Sequence, residues 1–434
     1  MTESAMPAGV RLAGTFLPLL DRARIYCCGI TPYDVTHLGH AATFVWVDVL
    51  TRVLGATGVD AQLCRNVTDV DDVLFAAAER SGSAYDAFAS VQQFRFDQDM
   101  TALSVRAPKF APRARRNVSQ VIRLAAALLQ AQAAYLRDGS VYFRGAGTAE
   151  RAGLTREQAI ELAAEYGARL DDPAKDDPLD VAVWRRSEPG EPGWPSPWGN
   201  GRPGWHAECA AISLSVLGLA VDVQCGGADL HYPHHAYQAA MAEAVTGVSP
   251  YARVQFGVGV VRLDGKKMAK STGNLVLVTD VLADHPAAAL RLCLIDRPWA
   301  DEWDYSVAEL EAATLRLERL YQAAGRGAGA RGPGGSGGPG GSGGPGGSGG
   351  SGGLRGSGGS GGLRGPGGSG GSAQEAAAEA IIDALRDDLD VPAALAVAEE
   401  AGGAAARSLI ATLGLSELTP GPRLASSLDN HEIP

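Results

Sequence analysis

Two short polar stretches, far apart in the chain, carry residue types that handle phosphate. Thr36-His37-Leu38-Gly39-His40 follows an apolar run and opens a helical one. Imidazoles at a helix N-terminus suit an anion, because free N–H groups and the helix dipole already favour negative charge there. Gly39 lets a nucleotide come close to the backbone. The second stretch is Lys267-Met268-Ala269-Lys270-Ser271, in a Gly-flanked loop after a strand-like run. Two loop lysines can stabilise the charge that develops on a departing pyrophosphate. Taken singly, the first stretch also fits two surface histidines, and the second a solvated basic turn.

The elements around them alternate. RIYCCGI, inside 24–72, reads as a buried strand and is broken by Thr31-Pro32. A helix is expected from about Leu38 to Leu54, stopped by Gly55 and Gly58. VDAQLCRNV is a second strand. Residues 73–175 read as mostly helical, 170–180 as a charged loop, and the Pro-, Gly- and Trp-rich 184–204 as an ordered irregular loop. LAVDVQCGG, the helix PHHAYQAAMAEAVTG and the strand YARVQFGVGVVRL form a second strand–helix–strand unit. This alternation predicts an α/β fold with a parallel sheet covered on both faces.

Ser306 and Glu309 have capping-box spacing, so a helix starts there. The GGS and GGP repeats of 325–372 cannot bury a core and predict a disordered insertion. As a coil it would span about 40 Å. Helical pattern resumes near Gln374. The expected organisation is an N-terminal extension (1–23), a catalytic domain (24–285) with a helical insertion (about 73–175), a helical C-terminal domain (286–324 and 373–418) and a tail (419–434).

A chain of 434 residues with formal charge 38 − 49 = −11 is a poor prior for broad nucleic-acid binding. Cys27, Cys28, Cys64, Cys209, Cys225 and Cys293 are too scattered for a disulfide scaffold and fit a reducing compartment. No signal or membrane segment is recognisable, so a cytoplasmic protein with no membrane partner is expected.

Together, HLGH in the first strand–helix unit and KMAKS after a late strand resemble the paired signatures of class I aminoacyl-tRNA synthetases. That resemblance implies a Rossmann-like nucleotide-binding core, a helical C-terminal bundle and an aminoacyl-adenylate intermediate. Cys28, Gly204-Trp205-His206-Ala207-Glu208-Cys209, Gly226-Gly227-Ala228-Asp229 and Pro233-His234-His235 resemble the cysteine-activating branch. By that resemblance Cys28, Cys209 and His234 are ligands of one zinc ion; their spacing alone shows no site. Three protein ligands leave a position for a substrate thiol, and a soft sulfur is selected over the hydroxyl of serine.

Within the branch, the chain is similar to the cysteine:glucosaminyl-inositol ligases of mycothiol biosynthesis rather than to cysteinyl-tRNA synthetases. Ile30-Thr31-Pro32 stands where the synthetase has Pro-Thr-Val, and His40 where it has Asn. Ala236-Tyr237-Gln238 replaces Glu-Asn-Glu, removing a fourth ligand, and little chain remains for an anticodon module. A charged ligase segment corresponds to Glu165–Leu170. Ala269 replaces the usual Ser of the lysine loop.

The resemblance implies that Cys28, Gly29, Ile30, Thr31, Thr43, Asn66, Val67 and Thr68 line the adenylate pocket. Trp205, Gly227, Ala228, Asp229 and Val261 form its other wall, with Asp229 on the ribose. His37 and His40 meet the phosphates, and Lys267 and Lys270 the pyrophosphate. The implied substrates are L-cysteine, ATP with Mg²⁺, and glucosaminyl-inositol. tRNA is not an expected partner, and the enzyme is expected to be a monomer. A tRNA-charging enzyme and a non-catalytic paralogue that binds cysteine or nucleotide are the alternatives.

Overall fold

The computed structural model describes residues 9–33, 35–268, 273–325 and 369–416. The expected disordered insertion and tail fall almost wholly outside them, as do Ala269, Lys270 and Ser271. A hairpin of β1 (Gly9–Leu12) and β2 (Thr15–Pro18) precedes β3 (Arg22–Cys27), α1 (Leu38–Ala56) and β4 (Asp60–Arg65). Next come α2 (Asp72–Arg80), α3 (Tyr85–Ala102) and α4 (Val118–Gln130). The hairpin β5 (Ala134–Arg137) and β6 (Ser140–Phe143), the single turn α5 (Thr148–Arg151) and α6 (Arg156–Glu165) follow. Then β7 (Val181–Arg186), β8 (Trp194–Ser196), β9 (Gly199–Pro203), α7 (Trp205–Leu217), β10 (Val221–Gly227), α8 (Ala236–Thr246) and β11 (Ala252–Val258) succeed one another.

β3, β4, β10 and β11 form one parallel sheet in the order β11-β10-β3-β4. α1 connects β3 to β4 and α8 connects β10 to β11, so strand order reverses between β3 and β10. In open α/β sheets ligands bind at the carboxyl ends of strands beside such a reversal. Cys28-Gly29 leaves β3 at this point, and Gly226-Gly227 closes β10 beside it. Apolar side chains dominate α1, including the fully buried Leu38, Val45, Trp46 and Leu50, because sheet and C-terminal helices enclose it.

The chain continues through β12 (Val261–Leu263), β13 (Lys266–Lys267), α9 (Val278–Asp284), α10 (Ala287–Ile295), β14 (Trp303–Asp304) and α11 (Val307–Ala323). It ends in α12 (Ser369–Arg386), α13 (Val391–Ala401) and α14 (Gly403–Leu413). α10, α11, α12, α13 and α14 pack together, and α10, α12 and α14 also pack against α1. One hydrophobic core joins these helices, the parallel sheet and the β1–β2 hairpin. Arg291 of α10, fully buried, donates to Asp48 of α1 (2.5 Å), Leu413 O (2.6 Å) and Leu103 O (2.8 Å). No helix among the described residues is long and apolar enough to cross a membrane.

Several sequence expectations give way. The N-terminal extension supplies Val10, Leu12 and Leu17 to the main core. The stretch 73–175 is mostly helical, in α2, α3, α4 and α6, but also contains the β5–β6 hairpin, turned by Asp138-Gly139 with both φ values positive (51° and 80°), a favoured two-residue hairpin turn. The irregular loop of 184–204 is mostly sheet: β7, β9 and β8 extend that hairpin into five antiparallel strands. Pro195 is tolerated because β8 lies at the sheet edge. The long strand YARVQFGVGVVRL is two strands in two sheets. They part at Gly259, where a Cβ would lie 2.0 Å from Asp301 O. Finally, α12 begins at Ser369, inside the range expected to be disordered.

Candidate active site

The switch point holds a cavity of about 550 Å³. The loop after β3 supplies Cys28, Gly29, Ile30 and Thr31, and the start of α1 supplies His37, Gly39, His40 and Thr43. Trp205, Gly227, Asp229, Val261 and Lys267 close the opposite side. Asn66, Val67, Thr68 and Ala228 are not among its lining residues. Asn66 acts from beneath, its buried Oδ1 accepting the Gly29 N–H at 2.9 Å. Gly29 is obligatory, since a Cβ there would stand 1.6 Å from Asn66 O. Ala228 packs behind the wall against Gly257.

His37 is the N-cap of α1, its Nδ1 accepting from Gly39 N at 3.2 Å. The His37 and His40 rings lie 3.9 Å apart between centroids. Backbone bonds from Leu38 N to Val276 O and from Val278 N to Thr36 O stitch this corner to the chain after the lysine loop. The two signature regions therefore share one rim. Lys267 Nζ lies 2.7 Å from Asp229 Oδ2 and 5.6 Å from the Tyr166 ring centroid. Burial pulls the Lys267 pKa down, but the Asp229 carboxylate outweighs it and keeps the ammonium charged.

Cys28, which lines the cavity, clusters with Cys209 and His234, which are not among its lining residues. Their Sγ, Sγ and ring-nitrogen atoms lie within 4.8 Å of one another, and all three residues are buried. Cys28 follows β3, Cys209 lies one turn into α7, and His234 sits in the irregular turn His231–His235 after β10. His234 Nε2 is buried without a hydrogen-bond partner, while its Nδ1 meets His206 Nδ1 at 2.9 Å. A buried imidazole nitrogen left unsatisfied, on a residue that clusters with two thiols, fits a soft divalent metal.

Burial, and then the neighbouring Cys209, push the Cys28 thiol up. The hydrogen bond from Cys28 holds Cys209 below its usual range despite its burial. His234 and His206 are both kept neutral by burial, His206 down to about 3. Gln238 is committed elsewhere: its Oε1 accepts from Gln224 at 2.9 Å and lies 3.6 Å from Cys28 Sγ, and its Nε2 donates to Tyr251.

Three residues at or beside the cavity were not named as site residues from the sequence. Tyr166 stacks with Trp205 (centroids 6.3 Å, 27°) and donates to Asp229 O. Its only signal was its place in the charged segment 165–170. His206 was visible as a residue next to Trp205 but not as a partner of His234. Glu165 also lines the cavity.

Residues 18–315 match the model of the tRNA synthetases class I (C) catalytic domain. The chain is 44% identical over 309 residues to the L-cysteine:1D-myo-inositol 2-amino-2-deoxy-alpha-D-glucopyranoside ligase of Mycolicibacterium vanbaalenii, covering 69% of this chain and 72% of that one. It is 45% identical over 315 residues to the protein of the same name from Nocardia farcinica, with 71% and 76% covered. Among solved structures it resembles Mycobacterium tuberculosis methionyl-tRNA synthetase in complex with methionyl-adenylate. There the TM-score is 0.59 at 16% identity over 91% of this chain and 82% of that one, a likeness of fold.

Proposed function

The chain belongs to the class I (C) tRNA synthetase catalytic-domain family, in the branch of the L-cysteine:1D-myo-inositol 2-amino-2-deoxy-alpha-D-glucopyranoside ligases, and from that premise we propose that it joins L-cysteine to the amine of glucosaminyl-inositol through a cysteinyl adenylate. The protein is an ATP-using ligase that releases AMP and pyrophosphate. The observation that best supports this reading is the clustering of Cys209 and His234, whose Nε2 is orphaned, with Cys28, which itself lines the cavity that His37, His40 and Lys267 also line.

A zinc ion held by Cys28, Cys209 and His234 would bind the substrate thiol as thiolate and reject serine. Gly39, in the cavity lining at the start of α1, gives the nucleotide close access to the backbone. His37 and His40, at the α1 N-terminus, receive the ATP phosphates. Asp229 accepts from the ribose hydroxyls, releasing Lys267 towards the phosphates. Lys267, with Lys270, stabilises the leaving pyrophosphate. With the carboxylate activated as a mixed anhydride, no covalent enzyme intermediate is required. The engagement of Gln238 by Gln224 and Tyr251 favours three protein ligands. We take the protein to act in the cytoplasm as a monomer, with Mg²⁺ accompanying ATP and no tRNA partner.

The test is cysteine-dependent exchange of labelled pyrophosphate into ATP, followed by addition of glucosaminyl-inositol or tRNA. Exchange with cysteine and product formation on the amino sugar are expected. Charging of tRNA would make the chain a cysteinyl-tRNA synthetase, and absence of exchange would make it a non-catalytic binder.

A further inference from the structure

A second cavity, of about 500 Å³, adjoins the adenylate pocket across a shared wall of Tyr166 and Trp205. It lies between the five-stranded antiparallel sheet, the start of α2 and the loop 166–178. Its size suits a small ligand, roughly 300–1,000 Å³ being usual. Asp71, Asp72, Arg169, Asp172 and Lys175 line it. Carboxylates and cations together, beside a stacked aromatic pair, are what a polyhydroxylated ring calls for: many hydroxyls need acceptors and donors, and the ring's C–H face needs an apolar platform.

Asp71 occupies a particular place in this wall. Its Oδ1 caps α2 by accepting from Val73 N at 2.9 Å. No partner for Oδ2 is found among the described residues. Asp72 is different: its carboxylate is committed to Arg185 and Arg202. Arg169 has no ion pair among the described residues, so its guanidinium is available to an incoming hydroxyl. On the ligase reading above, the mechanism still lacks an acceptor site and a base, and this cavity is the neighbouring space in which both are on hand.

We propose that the second cavity binds the amino-sugar acceptor, with Arg169 among its hydroxyl contacts and Asp71 as the general base for its amine. The amine lone pair attacks the carbonyl carbon of the mixed anhydride, and the C–N bond forms. The bond from that carbon to the phosphate oxygen breaks, and AMP leaves with the electron pair. The proton shed by the nitrogen goes to Asp71 Oδ2 and from there to water. Burial pushes the Asp71 carboxyl up to about 6, close to the pH at which such a proton is exchanged efficiently.

The experiment uses the full chain with Asp71→Asn and Arg169→Ala. Asparagine keeps the helix cap, so folding is preserved. Three rates are read: cysteine-dependent pyrophosphate exchange, ligation to glucosaminyl-inositol, and hydroxamate formation with hydroxylamine, a small neutral amine that needs neither sugar site nor base. Asp71→Asn should lower kcat for ligation by about 10²–10³-fold while leaving exchange and hydroxamate formation within about twofold. Arg169→Ala should raise KM for the amino sugar about tenfold, the effect of one lost charge-assisted hydrogen bond, without changing KM for cysteine or ATP. Unchanged ligation in both variants overturns the proposal. So does an equal loss of exchange and ligation in Asp71→Asn, which would assign Asp71 to cysteine activation. Failure of the unsubstituted enzyme to exchange pyrophosphate with cysteine would instead overturn the underlying ligase reading.

Discussion

Replacing His206 with leucine tests the metal centre from outside its ligand set. Neither His206 nor His234 carries a charge, so one of the two Nδ1 atoms 2.9 Å apart must donate and the other accept. If His234 presents Nε2 to a metal, its proton sits on Nδ1, and His206 is the acceptor. His206→Leu removes that acceptor inside a buried site. The unpaired N–H costs about 1–3 kcal/mol, equivalent to roughly 5–150-fold in an equilibrium constant. Partners that orient a ligating imidazole are worth about 10–100-fold in metal affinity. The expected result is therefore a weakening of about 10–100-fold, measured by competition with a chromophoric chelator. Leucine retains the apolar packing that His206 makes on Tyr237, so circular dichroism and Tm should change little. His206→Asn, whose Oδ1 falls near the position of Nδ1, should recover most of the affinity. A folded leucine variant with unchanged metal affinity would refute both the tautomer and the role of His234 Nε2.

Other substitutions separate the parts of the site. Cys209→Ala should lose bound metal, by elemental analysis, and abolish cysteine-dependent pyrophosphate exchange. Lys267→Ala should retain full metal content but slow the exchange by about 10²-fold, the usual effect of removing one donor from a developing anion. Gly29→Ala should lower Tm and abolish exchange, because its Cβ collides with Asn66 O. Asp48→Asn should cost about 3–5 kcal/mol in urea unfolding at pH 7, since it strands the buried Arg291 without a counter-charge. Burial alone would raise the Asp48 pKa, but Arg291 and Arg52 hold it below the ordinary range. Its folded value thus lies under its unfolded one, and its stabilisation is present above about pH 4 and lost as pH falls further. The asparagine variant should lack that part of the acid dependence.

The central sheet was legible because its signals are local. An apolar run, a break and a helix closed by glycine recur twice, and each unit gives one parallel crossover. The antiparallel sheet was not legible as a whole. Gly and Pro dominate 184–204 in composition, while strand pairing with the distant β6 decides their conformation. The Asp138-Gly139 turn was a local cue within that stretch that a reading weighted towards helices passed over. In the site, His37, His40 and Lys267 line one cavity, Lys270 lying outside the described residues, and Cys28, Cys209 and His234 meet although they are far apart in sequence. No spacing rule could bring those three together; only the reversal of strand order between β3 and β10 does. His206 and Tyr166 act through contacts with residues distant in the chain, which a linear reading cannot rank. Gln238 shows the reverse case, a substitution visible in sequence whose meaning depends on Gln224 and Tyr251.

The main core is built from both sides of the stretch between Gly325 and Ser369. Ile381, Leu385, Leu409 and Leu413 belong to the same apolar interior as the helix that presents His37 and His40. Arg291 clasps Leu413 O, Arg386 clasps Gly9 O, and Asp388 holds both Ala13 N and the Trp299 indole. The enzyme is thus divisible in covalent terms but not in its folding. A peptide-bond cut within the glycine repeats should leave two fragments joined by this shared core, whereas a chain truncated there would lack the Leu413 carbonyl that the buried Arg291 donates to. The repeat region is therefore the natural point at which to split the enzyme into a complementing pair.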